Sequence, residues 1–126
     1  MSEGVREEIE RINQEFSERY ARGDLDGVSE LYTEDARFLS PGRAIARGRQ
    51  QIRDIYAAYA AAGVTDLRFE TLEVEDHGDT VLEVARSTAT TAAGQTQQFC
   101  YVIVWRRNAD GTLQLHWDVV STSHDD

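Results

Sequence analysis

Apolar residues recur along the first part of the chain at Val5, Ile9, Ile12, Phe16 and Tyr20, a spacing of three and four that gathers them on one stripe of a helix. Residues 3–22 therefore read as a helix, with Ser2 placed to cap it and Gly23 to stop it. Asp24 can cap a second, shorter helix carrying Leu25, Val28, Leu31 and Tyr32 on its buried side. Ala36–Ser40 reads as a short extended piece and Gly42–Gly48 as a loop. A third helix follows, with Ile52, Ile55, Tyr56 and Tyr59 as its stripe and Gly63 as its terminator.

Beyond Gly63 the period changes to two. Leu67-Arg68-Phe69-Glu70 alternates, and Thr80–Thr91 is rich in β-branched residues. Phe99–Arg107 and Leu113–Ser121 complete a set of strands separated by turn sequences at Asp76–Asp79, Ala93–Gln95 and Asn108–Gly111. Tight turns join antiparallel neighbours, so these strands form a meander. Helices first and strands later predict an α+β fold. The strand at 99–105 is apolar on both faces, with Phe99, Tyr101, Ile103 and Trp105 on one and Cys100, Val102 and Val104 on the other. One face meets the helices, and the other needs a cover. A second copy of the chain is the simplest cover, so a homodimer through the outer face of the sheet is expected.

Length and composition narrow the function classes. A chain of 126 residues, 40% hydrophobic and 29% charged, predicts one soluble domain spanning residues 1–126. A net charge of −10 disfavours nucleic acid, whose binding draws on clustered Lys and Arg. Arg43, Arg47, Arg49 and Arg53 read as a solvated basic edge. No run is long and apolar enough to span a membrane, and no secretory leader is visible, so the expected location is cytoplasmic. Three dispersed histidines and one cysteine offer no metal-ligand spacing, and no phosphate-cradling loop or dinucleotide motif is present, so no cofactor is expected.

Three segments carry a family likeness. Gly23-Asp24-Leu25-Asp26-Gly27 through Leu31-Tyr32-Thr33-Glu34-Asp35-Ala36 resembles the second-helix signature of the nuclear transport factor 2-like superfamily. Gly48-Arg49-Gln50-Gln51-Ile52 resembles the start of its third helix, and Trp105–His116 the closing hairpin of its SnoaL-like branch. The resemblance implies a cone-shaped half-barrel: three N-terminal helices on a strongly curved, mostly antiparallel sheet, a pocket between them, and dimerisation through the sheet's outer face. The superfamily holds isomerases, cyclases, dehydratases, hydrolases and proteins without chemistry, so the fold does not give the function.

Ketosteroid isomerases share the Gly-Asp-Leu-Asp-Gly likeness and use a carboxylate base with an oxyanion hole of Tyr and protonated Asp. By that resemblance the base would fall at Ser40, the Tyr at Phe16 and the Asp at Ile103. None of the three can do the work, so this chain is not a ketosteroid isomerase of that mechanism. Tyr56 is the position that looks retained.

The same register puts His116, Asp118 and Val120 on the pocket face of the last strand, with Leu115, Trp117 and Val119 opposite. SnoaL-like cyclases resemble this arrangement in using a His/Asp acid–base pair. An aspartate beside a histidine favours the imidazolium, and an apolar surround raises a carboxyl pKa toward neutrality. The candidate catalytic residues are therefore His116, Asp118 and Tyr56. The candidate ligand-binding residues are Phe16, Tyr20, Phe38, Ser40, Tyr59, Tyr101, Ile103 and Val120. A structural role stays open for the pair, with Asp118 held by Arg86 on a neighbouring strand. Of Glu83 and Arg86, on opposite faces, one points inward. Cys100 reads as a small outward-facing hydrophobe, His77 as a turn residue, and His124-Asp125-Asp126 as a frayed tail.

Two functions follow. One is a cofactor-independent acid–base enzyme on a small, apolar, carbonyl-containing substrate. The other is a non-catalytic ligand-binding or dimeric assembly module. An open cavity reached by a pKa-shifted acid separates the first from the second, which requires a filled core with every polar group tied up.

Overall fold

The structure is a computed structural model, described over residues 2–122; the tail at 124–126 lies outside the described residues. The first helix, α1, spans Ser2–Ala21 and buries Val5, Ile9, Ile12, Phe16 and Tyr20, with Asn13 and Ser17 on the same face. It ends at Gly23, whose φ of 79° admits the left-handed turn in which Gly23 N–H donates to Tyr20 O and Asp24 N–H to Arg19 O. The Asp24 carboxylate then accepts from Gly27 N–H at 2.9 Å and starts α2, Leu25–Ser29.

This second helix is shorter than its apolar spacing predicts. Strand β1, Tyr32–Leu39, begins where the helix was expected to continue, and β2, Ala46–Arg47, lies inside the expected loop. Pairing with distant strands overrides local periodicity here. Tyr32 and Phe38 align in parallel with Leu115 and Asp118 of β6, and Phe38 pairs with Ala46. Helix α3, Gly48–Ala61, follows with Ile52 and Tyr56 buried and Ile55 and Tyr59 partly so.

Strands β3 (Val64–Asp76), β4 (Thr80–Thr91), β5 (Thr96–Arg107) and β6 (Leu113–Thr122) form the antiparallel meander. The full sheet runs β2-β1-β6-β5-β4-β3, and only the β1–β6 pairing is parallel. The sheet is curved and does not close, and the helices fill its concave side. Tyr20 ties α1 to the sheet by donating its phenolic hydrogen to Val64 O at 2.7 Å. The inner face carries Val81, Glu83, Ala85 and Ser87 of β4 with Tyr101, Ile103 and Trp105 of β5. Glu83 is thus the inward residue, and Arg86 lies exposed on the outside with Glu70 as its partner. On the outer face Val102 and Trp117 are 44% and 39% exposed, and Cys100 beside them is half-buried. Among the described residues no helix is long and apolar enough to cross a membrane.

Candidate functional site

The site is set by an irregularity in β6. Trp105 pairs with Leu115, and the preceding Val104 pairs with Trp117, so His116 is an extra residue, a β-bulge. Before the bulge Leu113 and Leu115 point inward; after it Asp118 and Val120 do. His116 therefore does not share the inner face with Asp118, contrary to the period-two expectation. Its imidazole lies toward β1 and the sheet surface, where Nδ1 is 2.8 Å from Thr33 Oγ1 and Nε2 accepts from the Arg106 guanidinium at 2.7 Å. Burial, and then Arg106, lower its pKa, so the ring is neutral rather than an imidazolium.

Asp118 is 2% exposed. Its Oδ2 accepts from the Tyr32 hydroxyl at 2.6 Å, and the hydroxyls of Tyr32 and Tyr56 lie 2.7 Å apart. Since Tyr32 donates its hydrogen to the carboxylate, Tyr56 donates to Tyr32. Burial holds both phenols well above their usual pKa, so they remain donors. The other carboxyl oxygen, Oδ1, has no partner among the described residues, a condition that Ser87 Oγ shares there. Desolvation raises the Asp118 pKa to about 7; the Tyr32 hydrogen bond pulls it down and the Glu83 charge pushes it up. Arg86 plays no part in holding Asp118.

Glu83 is a second buried carboxyl, but a satisfied one. Oε2 accepts from Asn13 Nδ2 at 3.0 Å and Thr71 Oγ1 at 2.7 Å, and Oε1 from Trp105 Nε1 at 2.9 Å. Burial raises its pKa, and these three donors oppose the rise. It aligns across β5 with Ile103, which aligns with Asp118 on the other side.

A cavity of about 290 Å³ opens between the sheet and the end of α3. Tyr59, Leu67, Phe99, Tyr101 and Val120 form walls, and Ser40, Pro41, Arg43 and Gln97 also border it. A much smaller void of about 10 Å³ lies deeper, bordered by Phe16, Phe69, Tyr101, Ile103, Leu115 and Asp118 among others. Tyr101 is the one lining residue that the two share.

The expected ligand residues thus separate into groups. Ser40, Tyr59, Tyr101 and Val120 border the cavity, while Phe16 and Ile103 stand at the inner void. Tyr20 and Phe38 border neither and serve the core. Tyr56 is enclosed by the rings of Phe16, Phe38 and Tyr59 at 5.3–5.9 Å and positions Asp118 through Tyr32. The sequence places Tyr32 on a helix, whereas it opens β1 and its hydroxyl binds Asp118; Arg43, expected on a solvated edge, is exposed and also borders the cavity. The apolar spacing of Leu31 and Tyr32 gave no sign of a strand. Among the described residues no cluster of three or more His, Cys, Asp or Glu could hold a metal.

A family model described as the SnoaL-like domain matches residues 13–116. No curated protein matches the chain. Similar solved structures include a ketosteroid isomerase-like protein from Erwinia carotovora atroseptica, at 23% identity and a TM-score of 0.74, covering 94% of each chain. A nuclear transport factor 2-like protein with a cystatin-like fold from Novosphingobium aromaticivorans has 22% identity and a TM-score of 0.80, covering 96% of this chain and 83% of that one. A conserved protein from Planctomyces limnophilus has 18% identity and a TM-score of 0.77, with 96% and 98% covered. At these identities the likeness is one of fold.

Proposed function

The chain belongs to the SnoaL-like family, and from that premise we propose that it binds a small apolar carbonyl compound and acts on it by acid–base chemistry without a cofactor, through Asp118. The observation that carries this reading is a buried carboxyl near neutrality whose Oδ1 has no partner among the described residues, at a void that shares Tyr101 with a cavity. Burial of an unpartnered oxygen costs stability, and a fold retains such a group most readily where it is used.

A ligand displacing the Tyr101 side chain reaches Oδ1. The ionised carboxylate takes a proton from the carbon next to the ligand's carbonyl, leaving an enolate and a carboxylic acid, and the proton then returns to carbon or oxygen. Tyr101 and Tyr59, both protonated because burial raises their pKa, are the donors available to the enolate oxygen. Tyr32 and Tyr56 hold the carboxyl in place. His116 lies outside this scheme.

Wash-out of α-protons tests the reading. The acetyl protons of 2-acetylnaphthalene are followed by NMR in deuterated buffer, with the protein in catalytic amount. Expected is exchange above the buffer rate that rises with pH through a midpoint near 7, the Asp118 value, and is lost in Asp118→Asn. Exchange in the variant equal to wild type, or no exchange over buffer with this and other apolar methyl ketones, overturns the enzymatic reading.

The exposed apolar outer face, with Val102 and Trp117, supports the further proposal that two copies pair through it. Sedimentation should give a dimer for wild type and a monomer for Trp117→Glu; a wild-type monomer at micromolar concentration would refute it.

A further inference from the structure

Among the described residues bordering the cavity, Arg43 is the one charged side chain. It stands at the rim in the segment Ser40–Arg47, which contains no acidic residue. Most arginines in this acidic chain have a carboxylate or carbonyl oxygen to bind: Arg6 has Glu10, Arg53 has Asp26, Arg106 has Asp35 and Arg49 has Tyr32 O. The Arg43 side chain has no ion pair or hydrogen bond among the described residues, yet its charge reaches the cavity wall, where it draws the Tyr59 phenol down against the upward pull of burial. At the opposite, inner end lie Asp118 and, beyond Ile103, Glu83.

The interior is thus polarised, with a free cation at the mouth, an apolar middle, and two buried acids at the depth. Resting on the reading of this cavity as a ligand site, we propose that its ligand is an amphipathic carboxylic acid. The carboxylate pairs with Arg43 at the mouth, the apolar body lies against Leu67, Phe99 and Val120, and the carbonyl end points to Asp118. The guanidinium offers the planar fork that fits a carboxylate. The acids at the depth offer an anion no cationic partner, so Arg43 fixes the direction of entry as well as adding affinity. Ser40, which also borders the cavity, supplies a hydroxyl donor on the same side.

A matched pair of probes tests this separately from the cavity reading. 2-Acetylnaphthalene carries the apolar body and carbonyl alone, and 6-acetyl-2-naphthoic acid adds a carboxylate at the far end. Both are titrated by fluorescence. Expected at low salt is binding of the acid about threefold to fivefold tighter than the ketone, falling toward parity in 1 M NaCl, as an exposed ion pair should. Arg43→Gln should abolish that preference and leave the affinity of the neutral ketone unchanged, while Arg43→Lys should keep part of it. Equal affinities in wild type and Arg43→Gln, with the ketone bound, overturn the carboxylate proposal and leave the cavity reading standing. If neither probe binds, both fall.

Discussion

Replacing Asp118 by Asn should change the pH dependence of folding stability more than its size. In the unfolded chain this carboxyl titrates near its ordinary 3.8; in the folded protein burial moves it to about 7. Below both values the two states are equally protonated and no penalty applies. As pH rises between them the unfolded state ionises freely while the folded state still holds its proton. The folded state then binds more protons, so stability falls with rising pH, and the fall levels off above the folded value. The shift of roughly three units corresponds to about 4 kcal/mol, of which roughly 2–3 kcal/mol falls between about pH 5 and pH 8.

Asparagine stays neutral throughout. It keeps an oxygen to accept from Tyr32 and places an amide N–H₂ where Oδ1 had no partner, a pH-independent cost of about 1–3 kcal/mol. Glu83, also shifted upward by burial, titrates in both proteins and largely cancels from the comparison. Urea unfolding followed through buried Trp105, at fixed protein concentration so that association does not intervene, should show the variant gaining roughly 2–3 kcal/mol on wild type from about pH 5 to pH 8. Parallel pH profiles for the two proteins would mean that Asp118 does not titrate in this window, and would remove the support for its acid–base role.

Tyr32→Phe takes away the only donor to Asp118 among the described residues, so the exchange midpoint should move upward in pH, with about 1–3 kcal/mol lost in urea unfolding. His116→Ala, by contrast, should leave α-proton exchange within about twofold of wild type, since its ring is held by Thr33 and Arg106 away from the cavity; a loss of two orders of magnitude would return it to the site. Gly27→Ala would bring a Cβ within 2.2 Å of Asp24 Oδ2 and 3.0 Å of Arg19 Cδ. The displaced cap should cost about 1 kcal/mol, or about 3–6 °C in a thermal melt.

The parts of the fold that were legible in the sequence are those governed by neighbours within one turn or one hairpin. The stripe Val5–Tyr20 and the glycine stop at Gly23 depend on local spacing and backbone freedom, and both stand in the structure. The four meander strands were marked by their turns. What escaped depends on partners far away in sequence. Tyr32 is drawn into β1 by a parallel alignment with Leu115, and only that alignment brings its hydroxyl to Asp118. The two residues are 86 positions apart, and no period within either segment encodes their meeting. Arg43 was visible as a charge, but its place at a cavity rim depends on α3 and β5 closing around it.

The β6 bulge is the instructive failure, because neither strict register of Leu113-Gln114-Leu115-His116-Trp117-Asp118-Val119-Val120 describes the strand. With Leu113 and Leu115 inside, regular alternation would also bury Trp117 and Val119 and leave Asp118 in water. On hydrophobic grounds that is the better strand, since burying such a side chain stabilises by about 1.5–3 kcal/mol. The protein instead inserts His116, leaves Trp117 39% exposed, and turns a carboxyl inward at a cost approaching about 4 kcal/mol once it ionises. A Tyr32–Tyr56 relay then fixes one oxygen of that carboxyl and leaves the other unpartnered. Bulges re-aim side chains at functional positions, and departures from local consistency concentrate where function requires them. The exposed Trp117 on the outside and the inward Asp118 carboxyl therefore have one origin, the extra residue His116, and the proposed dimer would cover the one while the proposed ligand would engage the other.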